Sequence, residues 1–155
     1  MAQPYRLDGI GIQIAIVFII RVWEAGFAMK LLLMIMAVVE TLAGAAFLLI
    51  PSTAFSTLLN VPLDTPAGLA AGRLAGAAIL GLAIACWNAR DSERNGAALA
   101  VVRAMAFFNV LAAAIIIWAG LRLGIQSLFL WPLMVTHAAL GAWCIVLLWR
   151  AMRKS

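Results

Sequence analysis

Four side chains able to bind a ligand or carry a proton interrupt long apolar stretches of this 155-residue sequence. They are the carboxyl group of Glu40, the guanidinium of Arg73, the amide of Asn109 and the imidazole of His137. Polar groups inside a membrane are costly, so they mark either contacts that hold helices together or places where a ligand or a proton is bound. The sequence leaves both interpretations open for this set, which is the candidate ligand site.

Small residues accompany each of these polar side chains. A glycine or an alanine follows every one of them three or four positions later, on the same face of a helix. Small residues allow helix backbones to approach closely, so we predict that all of the polar groups face the interior of one bundle. The glycines predicted to pack helices are Gly44, Gly68, Gly72, Gly76 and Gly141.

An ion pair between Glu40 and Arg73 is the most specific contact that this pattern predicts. With a rise of about 1.5 Å per residue, the depths of the two residues differ by roughly 6 Å, which is within reach of an arginine side chain. A guanidinium keeps its proton, so Arg73 needs a counter-charge wherever lipid excludes water. In the structural interpretation, Asn109 and His137 form hydrogen bonds to neighbouring helices.

The sequence contains no complete site for a common cofactor or reaction. A bis-histidine haem needs two imidazoles, and the chain has only His137. Cys86 and Cys144 lie within apolar stretches and fit small buried residues better than metal ligands, so no metal site is predicted. We assign no catalytic residue, and the sequence favours a protein that is not an enzyme on its own. One alternative that the sequence leaves open is a quinone pocket lined by His137, Trp131 and Arg73.

Composition defines the elements that carry these residues. Hydrophobic residues make up 66% of the chain, charged residues make up 11%, and the mean hydropathy is +1.10. A soluble domain has about 45–50% apolar and about 25% charged residues, so this chain lacks the polar surface that water requires. Apolar stretches of roughly 20 residues cross a hydrocarbon core of about 30 Å. We predict an all-α transmembrane four-helix bundle over residues 29–155, with spans at about 29–50, 67–88, 99–121 and 128–149.

Local signals place the ends of these spans. Pro51 closes the first span, and Thr65 followed by Pro66 is a good helix start, with an N-cap residue before a proline at the first helical position. Only "RLGIQS" separates the third and fourth spans. These two spans are therefore predicted to be antiparallel neighbours.

Residues 1–28 form a separate apolar or amphipathic segment. The stretch "GIGIQIAIVFII" has only 12 residues before Arg21, which is short for a span. On a helix, Arg6, Gln13, Arg21 and Glu24 fall roughly along one stripe, as in a helix that lies at the membrane surface. We predict such an interfacial helix, or an extension upstream of a natural start at Met29. A fifth span over about residues 9–28 is the alternative.

Basic residues predict the orientation of the bundle. Arg122, opposed by Asp64, is the basic residue on one side of the four-span layout, and the other side carries Lys30, Arg90, Arg94, Arg103, Arg150, Arg153 and Lys154. The positive-inside rule places this richer side, with the C-terminus, in the cytoplasm. The net charge of +5 is then explained by orientation and by anionic lipid, so no nucleic acid is expected as a partner. The abundance of arginine and alanine is typical of a bacterium, and we expect its inner (plasma) membrane.

Three stretches resemble a known group of proteins. They are "FLLIP" at the end of the first span, "AAGRLAGAAILGLAIACW" in the second, and "WPLMVTHAALGAW" late in the chain. Over residues 29–150 the layout is similar to the small bacterial four-helix membrane proteins of the DoxX-like group and its relatives, with Arg73-x-x-Gly76 as the most specific part. The resemblance implies a four-helix membrane fold. Some members of the group are associated with quinone-linked sulfur or redox chemistry, but no residue pattern here maps onto a catalytic position.

Three functions are compatible with these features. We expect a small accessory or scaffolding subunit that packs against a larger membrane complex or forms a homo-oligomer. The alternatives are a binder or transporter of a small lipophilic molecule, a lipid or a quinone, in the bundle core, and a membrane redox partner that uses quinone. The sequence requires no cofactor, and membrane lipids are expected as partners.

Overall fold

The computed structural model of the chain describes residues 25–92 and 96–153, and these ranges are helical with no strand. The all-α prediction is therefore confirmed. The helices are α1 (Ala25–Leu49), α2 (Pro51–Leu59), α3 (Pro66–Ala89), α4 (Ala97–Arg122) and α5 (Leu130–Met152).

Four of these helices are long and apolar enough to cross a membrane: Phe27–Leu49, Pro66–Ala89, Ala97–Arg122 and Leu130–Met152. They coincide with the predicted spans to within a few residues, and the chain is a multi-pass helical membrane protein. Residues 25–28, which the sequence assigned to the N-terminal segment, form the first turn of α1. The predicted interfacial helix, or fifth span, otherwise lies outside the described residues.

The helix α2 was not predicted. Ile50 leaves the helical conformation at φ −132° and ψ 55°, so α1 ends where the proline signal placed it. Pro51 then starts a new helix, because its fixed φ and missing N–H suit the first helical position. This helix ends at Asn60, which adopts a left-handed conformation with φ 56°.

The start of α3 follows the predicted signal. The Thr65 side chain accepts a hydrogen bond from the backbone N–H of Gly68 at 3.0 Å, and Pro66 occupies the first helical position. This cap satisfies one of the backbone donors that every helix start leaves without an intrahelical partner.

The spanning helices form two tightly packed pairs. α1 packs most extensively on α3, and α4 packs most extensively on α5, while the contacts between the two pairs are sparser. All four spanning helices contribute to one buried core, which is densest in the half of the bundle where α1 begins and α5 ends. Its fully buried side chains include Leu32, Leu33, Met36, Cys86, Val102, Met105, Cys144 and Leu147.

Candidate functional site

The backbones of α1 and α3 meet at two glycines. A Cβ atom added to Gly76 would lie 2.8 Å from the carbonyl oxygen of Gly44, and closer still to the backbone nitrogen of Leu48. A Cβ atom added to Gly44 would lie 2.9 Å from the carbonyl oxygen of Gly76 and 2.8 Å from Cγ of Leu80. The two helices therefore touch backbone to backbone, at a distance that any side chain would prevent.

The other predicted packing glycines have different neighbours. A Cβ atom at Gly72 would lie 2.9 Å from Leu63 and 3.0 Å from Pro51, and one at Gly68 would lie 3.0 Å from the Thr65 hydroxyl. These two glycines face α2 and the connection that follows it. Gly141 on α5 has ordinary van der Waals space, since its added Cβ would lie 3.5 Å from Cβ of Asn109.

Glu40 lies on the core-facing side of α1, one turn before the glycine crossing. Its exposed fraction is 2%, and in the part of the chain that the structure describes no hydrogen-bond donor reaches its Oε1 atom. A charged side chain at mid-membrane costs roughly 3 kcal/mol on insertion scales, and a buried oxygen without a donor adds a further penalty. Glu40 is thus the one buried polar side chain of the described residues whose bonding is incomplete.

Arg73 does not supply the missing donor. Its side chain is exposed, and the described residues hold no ion pair between it and Glu40. The predicted pair fails because Gly76 is the residue of α3 that meets α1. Arg73 precedes it by three positions, which places its side chain about 60° around the helix from Gly76, on an exposed side. The sequence correctly indicated a close glycine contact but assigned the arginine to the wrong side of it.

Asn109 and His137 do meet, across the α4–α5 interface. The amide nitrogen of fully buried Asn109 donates to the carbonyl oxygen of Met105 at 2.9 Å, which leaves Oδ1 to accept from Nδ1 of His137, also at 2.9 Å. A neutral imidazole with its proton on Nδ1 keeps a lone pair on Nε2. The ring also packs edge-on against Phe108, with centroids 5.9 Å apart. This contact holds α4 to α5, and no described residue forms a hydrogen bond with the remaining acceptor of the ring.

The four predicted polar residues are thus divided between the helix pairs. Glu40 belongs to the α1–α3 pair and Asn109 with His137 to the α4–α5 pair, and no described hydrogen bond joins the two groups. Trp131, which we grouped with His137 and Arg73 as a quinone pocket, lines a groove of about 470 Å³ beside the α4–α5 connection. Neither of the other two residues lines that groove.

Both cysteines belong to the buried core. Cys86 on α3 and Cys144 on α5 are both buried, and their thiols are free. Within residues 25–92 and 96–153, no group of three or more histidine, cysteine or acidic side chains could hold a metal ion.

A polar cluster at the ends of α1 and α3 was missed by the sequence analysis. Lys30 donates to Oδ1 of Asp91 at 2.6 Å, and Nε of Arg90 lies 3.3 Å from Oδ2 of the same carboxylate. The hydrogen bond from Lys30 lowers the pKa of the Asp91 carboxyl, and the charges of Lys30 and Arg90 act in the same direction. The signal was available: successive antiparallel spans bring the start of the first beside the end of the second.

A groove lies on the outer face of the same helix pair, and we call it the α1–α3 groove. It has a volume of about 330 Å³. Its lining residues are Ala37, Val38, Thr41 and Leu42 of α1 with Ala83, Ile84 and Trp87 of α3. Several of them are exposed, Val38 at 56% and Ile84 at 61%, so the groove opens away from the core. Glu40 is not part of its lining.

Comparison with known proteins adds no relative to this description. No family model matches the chain, and no curated protein and no solved structure does so either. The functional interpretation therefore rests on the geometry described above.

Proposed function

We propose that the chain is an accessory or scaffolding subunit of a larger assembly in the membrane. The supporting observation is how little of each span the bundle buries: between 22 and 33% of the residues in the most apolar part of each spanning helix. Between the spanning helices the described chain forms short connections and the nine-residue helix α2, so it offers a partner mainly lateral helix faces. Apolar lateral faces suit lipid and the helices of another membrane protein alike.

The exposed side of α4 is the face that we assign to a partner helix. Phe107, Leu111, Ile115 and Trp118 follow one another at spacings of four, four and three residues, and all are exposed. Bulky side chains in such a row form a ridge that fits the groove of a neighbouring helix.

Crosslinking from within the membrane tests this assignment. A photoreactive amino acid at Ile115, which is 60% exposed, should give a discrete adduct with a second protein, in a particle that stays intact in mild detergent. The same reagent at Ala113, which is 7% exposed, is the matched control and should give no such adduct. Adducts with lipid alone from Ile115, together with the native size of a monomer, would refute the accessory role.

The proposal includes an orientation, with the C-terminus in the cytoplasm of a bacterial cell. Lys30 and Arg90 share Asp91, and Arg103 lines a groove with residues of the last turn of α5, so these basic residues lie at the same end of the bundle. A reporter fused after Ser155 should read as cytoplasmic and one at Asp64 as external. A cytoplasmic signal from the reporter at Asp64 would overturn the orientation.

A second candidate function is the binding of a small lipophilic molecule, a lipid or a quinone, in the core. Two atoms without a hydrogen-bond partner among the described residues favour it: Oε1 of Glu40 and Nε2 of His137. The purified protein should then retain about one equivalent of the molecule. Glu40→Gln should lose it, and Arg73→Gln, on an exposed side chain, should retain it. Absence of any retained molecule from the parent protein would exclude this function.

A further inference from the structure

The α1–α3 groove has the shape and lining of a site for an apolar chain. Its floor is formed by two buried alanines, Ala37 and Ala83. The exposed side chains at its rim are apolar apart from Thr41, whose hydroxyl donates to the carbonyl oxygen of Ala37 at 2.6 Å. Its volume of about 330 Å³ gives room for a short run of methylene groups. A segment of that length matches part of one acyl chain.

Positive charge lies at one end of this groove. Trp87 is the lining residue nearest the end of α3, and the guanidinium carbon of Arg90 stacks 3.8 Å from the centre of its ring. The cluster at this end combines Arg90 and Lys30 with the single carboxylate of Asp91, which leaves an excess of positive charge among these three side chains. The side chains of Arg90 and Lys30 are 26% and 43% exposed, so both are accessible to a ligand.

The two features form one continuous surface. From Ala83 to Arg90 the helix rises by about 10 Å, which takes the surface from the apolar groove to the level where tryptophan and basic side chains meet lipid headgroups. We propose that the groove binds one acyl chain of an anionic phospholipid, with the lipid phosphate held by Arg90 and Lys30. A phosphate accepts charge-assisted hydrogen bonds from both cations, whereas an uncharged lipophile makes no use of them.

Binding of defined lipids to the purified full-length chain tests the headgroup contact. Native mass spectrometry in a neutral detergent would compare dioleoyl phosphatidylglycerol with dioleoyl phosphatidylcholine, which carry the same acyl chains. Lys30, Arg90 and Asp91 together carry one net positive charge. One such charge near the membrane surface contributes about 1 kcal/mol, so the anionic lipid should bind about fivefold more tightly. Arg90→Gln should remove this preference. Arg153→Gln is the matched control, since Arg153 stacks on Trp149 at 3.5 Å in the same way but outside the groove.

A second pair of variants tests the acyl-chain contact. Val38→Trp fills the groove from its exposed rim and should weaken binding of both lipids. Val135→Trp is the control, because Val135 is equally exposed, at 57% against 56%, and lies on α5. Both variants change exposed positions and leave the core intact, so loss of folding does not confuse the result.

Three outcomes would overturn the proposal. They are equal binding of the two lipids by the parent chain, equal effects of Arg90→Gln and Arg153→Gln, and lipid binding that Val38→Trp leaves unchanged. A short-chain quinone that displaces phosphatidylglycerol and binds more tightly would assign the groove to quinone instead. A groove occupied by a second copy or by another part of this chain would bind neither lipid. The site goes beyond the accessory role, and its test uses the purified chain alone, so either proposal can fail without the other.

Discussion

Adding one methyl group at Gly76 tests the packing of the helix pair that carries Glu40 and the α1–α3 groove. In Gly76→Ala the new Cβ would lie 2.8 Å from the carbonyl oxygen of Gly44 and 2.8 Å from the carbonyl carbon of Phe47. An ordinary contact begins at 3.4 Å, so α1 would have to retreat by at least about 0.6 Å, and by more to clear the backbone nitrogen of Leu48. The obstructing atoms belong to the backbone and cannot move aside by changing a rotamer.

The expected loss of stability follows from the contacts that α1 and α3 would lose on moving apart. Inserting a methyl group into a well-packed contact typically destabilises a protein by about 1–3 kcal/mol, and a gap of about 0.5–1 Å forfeits a quarter to a half of each van der Waals contact along the interface. The substitution also replaces glycine by a better helix former, a gain of about 0.5–1 kcal/mol. A control that shares this gain is therefore needed.

Gly81→Ala is that control. Gly81 lies on the same helix, and a Cβ atom added there meets nothing within 4 Å. Reversible unfolding in mixed detergent and dodecyl sulfate micelles, followed by tryptophan fluorescence, would give both free energies of unfolding. We expect Gly76→Ala to be less stable than Gly81→Ala by about 1–3 kcal/mol. Equal stabilities, within about 0.5 kcal/mol, would show that α1 and α3 do not touch at this point.

Three further predictions concern polar groups. The Asp91 carboxyl has a lowered pKa in the folded state, so its contact with Lys30 stabilises that state at any pH above the ordinary carboxyl pKa of about 3.9. This contribution is lost as the pH falls through the folded-state pKa. Lys30→Met should therefore raise the pKa of the Asp91 carboxyl toward its ordinary value in a carboxyl NMR titration, and an unchanged pKa would mean that the contact is absent. Asn109→Leu should lower the free energy of unfolding by about 0.6–1.7 kcal/mol, because it removes the hydrogen bond to His137. The double variant with His137→Phe should lose less stability than the sum of the two single variants, and strictly additive losses would contradict the bond. Glu40→Met should leave the free energy of unfolding unchanged or raise it, since a buried oxygen without a donor costs about 1–3 kcal/mol; a clear loss of stability would reveal a donor from elsewhere.

The spans were predictable because they depend only on the order of residues along the chain. The length of an apolar stretch fixes where a helix can cross a membrane, and Thr65 with Pro66 fixed the start of α3 to the residue. The nine residues of α2 gave no such signal, since "PSTAFSTLL" is short and mixed in polarity. A short helix of this kind is stabilised by packing against its neighbours in the fold, and the local sequence pattern carries no information about those neighbours.

The arrangement of the polar residues was harder to predict because it depends on rotation. Gly72 and Gly76 are four positions apart and share one face of α3, while Ala77, four positions after Arg73, lies on another, so small residues occupy two faces of the helix. The choice between these faces is made by α1, which packs against Gly76 and leaves Arg73 exposed. One residue corresponds to about 100° around a helix, and spacing within one helix does not show which neighbour it will meet.

The division of the bundle into two helix pairs has a consequence for biosynthesis. The α1–α3 pair is complete in the chain before α4 begins, and its close glycine crossing lies entirely within that first half. Each pair is an antiparallel hairpin of contacts that are local in the sequence, and such units form independently and early. The chain is thus organised to enter the membrane as two successive hairpins, with the second docking onto a first that is already assembled. A gene divided within the polar segment after Asp91 should consequently yield two fragments that reassemble in the membrane.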